Sequence, residues 1–102
     1  MLFRSVNVFP TQIEEQILSI GSLAGHYQIV LTREGRLDEM EVQVEARSAA
    51  HLDLARELGA GALAHAIKSR IGVSARVTVL APAQIERSMG KAKRVIDKRT
   101  KP

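Results

Sequence analysis

The chain has no cysteine and no tryptophan among its 102 residues. Disulfides, thiolate metal sites and cysteine nucleophiles are therefore excluded. Aromatic residues are scarce too: Phe3, Phe9 and Tyr27 are the whole supply. The core must be aliphatic, and no row of rings is available for stacking nucleobases. No apolar run approaches the roughly 18–20 residues of a membrane span. The opening Met1-Leu2-Phe3-Arg4-Ser5-Val6 lacks the apolar stretch and cleavage site of a signal peptide. These absences lead to the expectation of a cytoplasmic protein with no membrane partner.

What is present is ordinary in amount and uneven in placement. Apolar residues make up 45% and charged residues 25%, as in soluble globular domains. The length fits one domain over 1–102. Residues 1–86 carry eight Lys/Arg against ten Asp/Glu, whereas residues 87–102 carry seven Lys/Arg against one Asp. The net charge of +4 is thus a property of a basic tail over 83–102. Within that tail Gly90 directly precedes Lys91. Glycine lets a backbone come close to a ligand. A lysine beside it can set a compact charge against a phosphate or carboxylate.

Upstream, the pattern alternates between strands and helices. Residues 5–9 are β-prone and end at Pro10. Thr11 and Glu14 have the spacing of a capping box, Ile13, Ile17 and Ile20 mark one helical face, and Gly21 stands where a helix would end. Residues 26–33 read as a strand, with Tyr27, Ile29 and Leu31 on one face and Val30 on the other. After a turn at Glu34-Gly35-Arg36, strict alternation over 38–46 sets Met40, Val42, Val44 and Ala46 against Glu39, Glu41, Gln43 and Glu45. The glutamates read as a solvated strand face. Ser48 can cap a second helix running to about Arg70, with an apolar stripe of Leu52, Ala55, Leu58, Ala62, Ala66 and Ile67. Gly59 and Gly61 weaken it unless they permit a close approach to the sheet. Gly72 stops it, and residues 75–80 form a further strand ended by Pro82.

The order is β-α-β-β-α-β. It predicts an α+β split-βαβ-like sandwich, with a mainly antiparallel sheet, two helices on one face and a basic C-terminal tail. Val95-Ile96 could add a short strand or pack on the domain.

Other chemistry is weakly signalled. The cluster Arg87, Lys91, Lys93, Arg94, Lys98 and Arg99 could meet the phosphates of a nucleic acid. The acidic balance of the first 86 residues and the lack of interleaved aromatics oppose it, so no nucleic-acid partner is expected. His26, His51 and His65 do not have metal-ligand spacing, and no metal site is expected.

Several stretches resemble the C-terminal domain of phenylacetate–CoA ligases. They are residues 6–15, Val-Asn-Val-Phe-Pro-Thr-Gln-Ile-Glu-Glu; His26-Tyr27-Gln28-Ile29-Val30; Ile71-Gly72-Val73-Ser74; and Arg87-Ser88-Met89-Gly90-Lys91-Ala92-Lys93-Arg94-Val95. They occur in order over nearly the whole chain. The resemblance implies an adenylate-forming acyl-CoA synthetase. Such an enzyme first makes an acyl adenylate from a carboxylic acid and ATP, then transfers the acyl group to CoA. Its small C-terminal domain rotates between the two half-reactions.

By that resemblance Lys91, presented by Gly90, is the lysine that serves adenylation. Arg4, Ser5, Val6 and Asn7 would line the CoA pantetheine path. Arg87, Lys93 and Arg94 would hold the tail against the rest of the enzyme or meet CoA phosphates. Where Ser5 stands the family commonly has Gly, and a Cβ with a hydroxyl there would narrow the pantetheine approach. The resemblance also implies a partner, an N-terminal adenylation core on the same or a separate chain. That core would bind ATP, Mg2+ and the acid, so this domain alone would hold no cofactor and would not be active. The rival reading is a free-standing small-ligand-binding or regulatory α+β domain that dimerises.

Overall fold

Pro10 divides a short ribbon from the first helix. The structure, a computed structural model, describes residues 2–3, 6–85 and 95–99. Before Pro10, β1 (Leu2–Phe3) and β2 (Val6–Asn7) pair antiparallel, with Phe3 opposite Val6. α1 (Pro10–Leu18) follows at once. Proline suits a first helical position, because its φ is preset and its missing N–H has no intrahelical acceptor to lose. The helix therefore begins ahead of the expected Thr11 cap. Only the returning half of a capping box forms, around Phe9: the Phe9 N–H donates to Gln12 Oε1 at 2.9 Å, while the Gln12 N–H donates to the Phe9 main-chain carbonyl at 2.9 Å because the Phe9 side chain has no acceptor. Ile13 and Ile17 are fully buried. Ser19, not Gly21, closes the helix, its hydroxyl donating to the Gln16 carbonyl at 2.7 Å.

β3 (Leu23–Glu34) and β4 (Leu37–Ala46) make the expected hairpin, with an irregularity between Leu23 and Tyr27. In register, Tyr27 meets Val44, Ile29 meets Val42 and Leu31 meets Met40, and all six are buried. Each such side chain contributes about 1.5–3 kcal/mol by leaving water. The buried Tyr27 hydroxyl donates to the Pro10 carbonyl at 3.3 Å, which ties the sheet to the start of α1.

A helical run crosses back from β4. It comprises a 3₁₀ turn (Ala49–His51), α2 (Leu52–Leu54), a π turn (Ala55–Gly59) and α3 (Ala60–Arg70). Its buried face is Ala55, Gly59, Leu63 and Ile67, one residue in four. The expected stripe kept only Ala55 and Ile67 of these, and Leu58 is 65% exposed. The wider i→i+5 ring of the π turn shifts the face that meets the sheet. Gly59 packs closely on the start of β3: a Cβ there would sit 2.9 Å from Ser22 Oγ and 3.5 Å from Leu23 Cδ2. Gly61 has no neighbour that close. The Ser48 side chain makes no capping bond to the helix backbone; its Oγ lies 2.7 Å from His51 Nδ1, while its carbonyl accepts the His51 N–H at 3.0 Å. Gly72 ends α3 as expected, with a φ of 90° and its N–H donating to the Ile67 carbonyl at 3.1 Å.

β5 (Arg76–Leu80) and β6 (Val95–Asp97) complete a sheet of order β5-β4-β3-β6. The long central ladder is antiparallel, while each outer strand runs parallel to its neighbour. β5 is parallel to β4 because the helical crossover returns the chain to the same end. The result is an α+β fold with helices on one face, and the apolar rows of β3 and β4 form its core with α1 and α3. The expected first strand does not join this sheet. Pro10 cuts it short, and β6 occupies the edge beside β3.

The opposite face is only partly wet. Val30 is 8% exposed there, in register with Ile96 of β6. Glu45, in register with Leu80, is 1% exposed and contradicts its reading as a solvated residue.

Candidate functional site

Lys91, Gly90, Arg87, Lys93 and Arg94 lie outside the described residues, as do Arg4 and Ser5. Val6 and Asn7 are described. Both belong to β2, Val6 half-buried against the core and Asn7 exposed. For the Gly90-Lys91 stretch, the structure defines the two stems that bracket it: residues 81–85 leading in, and residues 95–99 leading out.

The leading stem follows β5 and is fastened to β4. Glu45 Oε1 accepts the Ala83 N–H at 2.9 Å, and Glu45 Oε2 accepts the Ile85 N–H at 2.8 Å. Charge-assisted bonds of this kind are about twice as strong as neutral ones, and they offset the cost of taking a carboxylate out of water. Ala83 has a φ of 67°, the left-handed region that a residue with a Cβ seldom adopts. Ile85, two residues on, is 7% exposed.

The trailing stem is fastened by ion pairs. The Lys98 N–H donates to the Leu31 carbonyl at 2.7 Å, extending the β3–β6 pairing. Arg99 then turns back. Its Nε and Nη2 donate to the two Asp97 carboxylate oxygens at 2.9 and 2.8 Å, and its Nη1 donates to Asp38 Oδ2 at 2.9 Å. Arg33 Nε donates to the other Asp38 oxygen at 2.7 Å. The Arg33 guanidinium, and then that of Arg99, hold the Asp38 carboxyl below its ordinary range. Asp97, and then Asp38, hold Arg99 in its charged form. Arg99 is therefore engaged in fixing the tail and is not a free member of a nucleic-acid-binding cluster.

The remaining polar clusters are small. Glu41 accepts the Thr78 hydroxyl at 2.5 Å and links β4 to β5. His26 is exposed, His51 is held by Ser48, and His65 Nε2 stands 3.4 Å from Ser69 Oγ. Among the described residues no three His, Asp or Glu side chains gather as a metal would need. They offer no donor set for Mg2+. No helix among them is long and apolar enough to cross a membrane.

Glu45, Asp38 and Arg99 were the residues that sequence reasoning missed. Glu45 alternates with Glu39 and Glu41 on one strand and carries no distinguishing signal. Arg99 was hidden among six other basic residues of the tail.

The mixed four-stranded sheet with helices on one face recurs as part of solved structures of larger ligases. The chain belongs to the AMP-binding enzyme C-terminal domain family, whose model matches residues 5–99, and its relatives place it with the C-terminal domains of phenylacetate–CoA ligases. It is 50% identical over 101 residues to phenylacetate–coenzyme A ligase of Pseudomonas putida, covering 97% of this chain and 23% of that protein. The chain thus spans about a quarter of the length of the curated relatives it matches.

Among solved structures, a domain of phenylacetate–coenzyme A ligase from Bacteroides vulgatus superposes with a TM-score of 0.77 at 31% identity, covering 98% of this chain and 92% of that one. 2-Hydroxyisobutyryl-CoA ligase, with 2-HIB-AMP and CoA in the thioesterification state, gives a TM-score of 0.79 at 31% identity over 97% of this chain and 21% of that one. The same ligase with 2-HIB-AMP in the postadenylation state gives 0.78 at 32% identity over 95% and 21%.

Proposed function

We propose that this chain is the C-terminal lid of an acid–CoA ligase of the phenylacetate type. In this reading it is one domain with a basic tail, and it works only against an N-terminal adenylation core. The observation that carries the reading is the pair of structures of one relative. The same fold recurs in 2-hydroxyisobutyryl-CoA ligase in both the postadenylation and the thioesterification states.

In the first half-reaction the acid's carboxylate oxygen attacks the α-phosphorus of ATP, and pyrophosphate leaves. Negative charge from both partners converges there. A cation placed at that point, away from bulk water, lowers the barrier more than it stabilises the separated substrates. Lys91 is assigned that role, with Gly90 permitting the close backbone approach. In the second half-reaction the CoA sulfur attacks the acyl carbon, and AMP leaves. The residues around Arg4, Ser5, Val6 and Asn7 line the thiol's approach, and Arg87, Lys93 and Arg94 meet phosphates or hold the tail. ATP and CoA are substrates of the assembled enzyme.

The test is Lys91→Ala in the chain joined to, or expressed with, a ligase core. Acid-dependent ATP–pyrophosphate exchange should fall by about 10²–10³-fold, the usual cost of removing one preorganised charge-stabilising group. Thioester formation from a preformed acyl adenylate should fall far less. Exchange at the unsubstituted rate would overturn the assignment.

A further inference from the structure

The described residues spend two unfavourable features on a five-residue stretch that belongs to no helix or strand. A carboxylate is buried at Glu45, and an alanine is held left-handed at position 83. An apolar side chain at position 45 would cover the same patch of sheet without desolvating a charge. What a carboxylate adds is direction. Its two oxygens take the N–H groups of Ala83 and Ile85, at 2.9 and 2.8 Å, and so fix both the place and the heading of the backbone as it leaves the sheet. Strain kept in place by such contacts is commonly tied to function. Ile85 is the last described residue before the tail, and Lys91 follows six positions on.

We propose that Glu45 is a positioning residue for the adenylation chemistry: by holding the Ala83 and Ile85 amides, it sets the origin and direction from which the chain reaches Lys91. This rests on the lid reading above. Glu45 has a positional part, without contact to substrate. It acts through the backbone, so its loss affects the rate of the chemical step and leaves ATP and acid binding to the core unaltered.

The experiment places Glu45→Gln and Glu45→Asp beside Lys91→Ala in the assembled ligase. Glutamine keeps the shape but turns an NH2 donor toward one of the two amide donors. Aspartate keeps the charge on a shorter stem. Both should lower kcat for ATP–pyrophosphate exchange by about tenfold or more. KM for ATP and acid should stay within about twofold, the signature of an interaction that serves only the transition state. Circular dichroism melts must show the variants folded at the assay temperature. Unchanged kcat in both variants, with Lys91→Ala impaired, overturns this inference and leaves the lid reading standing. An unimpaired Lys91→Ala overturns both. Amide exchange in the unsubstituted chain is an independent check. Slow exchange at Ala83 and Ile85 is expected, and free exchange at these two amides overturns the proposal whatever the variants do.

Discussion

The two stems of the tail are held by different physics. The leading stem is held by a carboxylate that is 1% exposed and bonded to main-chain N–H groups. The trailing stem is held by side chains at the rim, where Arg99 and Asp38 are about 15% exposed and Asp97 is 39% exposed. Water competes with the second set and hardly with the first. A buried carboxylate on backbone amides gives a stiff, salt-insensitive hold, because its partners have no rotamers to lose and no solvent to screen them. A rim network gives an adjustable one. In the proposed lid role, a domain that meets its core in more than one pose can use both, a leading stem fixed in direction and a trailing stem able to yield.

Breaking the leading hold should have the larger effect on stability. Glu45→Ala leaves two amide donors without that acceptor and should cost roughly 2–4 kcal/mol. At this chain length that lowers the melting midpoint by about 10–20 °C. A midpoint unchanged within about 2 °C would show that the hold is not what the geometry implies.

Arg99→Ala should cost less, about 1 kcal/mol, since its partners sit at the rim and are screened. The deficit should shrink in about 1 M salt, where the Debye length is near 3 Å. The Glu45→Ala deficit should not. Equal salt sensitivity of the two variants would erase the contrast between the stems.

The smallest effect, and the most selective, is that of acid. Hydrogen bonds from Arg33 and then Arg99 depress the Asp38 pKa below 3.8. A depressed carboxylate contributes stability that is present above its unfolded pKa and lost as pH falls through the folded one. Exchange of the Lys98 amide, corrected for its intrinsic rate, should therefore stay slow down to about pH 3.8 and accelerate below it. Acceleration already near pH 6 would mean that another group governs the trailing stem.

Much of the fold was legible because its signals are local. Strict alternation over 38–46 follows from one apolar and one polar sheet face, and it located β4 without any knowledge of its partners. Gly72 marked the end of α3 because few other residues accept that φ. The failures were just as physical. The α1 start moved because Pro10 outranks Thr11 as a first-turn signal once Gln12 bonds back to Phe9. The buried face of the long helical run went astray because a π turn cannot be seen in a 3.6-residue period. Of the candidate site, the Gly90-Lys91 motif was conspicuous in the sequence, whereas Glu45 was not: one glutamate in an alternating row looks like the next.

By itself, then, the sequence determined the alternation of strands and helices, the aliphatic core and the concentration of positive charge after residue 86. These depend on residues near one another in the chain. Which strand sits beside β3, which of three glutamates on β4 is dry, and that Arg99 pairs with two aspartates were decided only by the tertiary structure. Each depends on groups brought together from 38 to 66 residues apart, whose meeting no local pattern records.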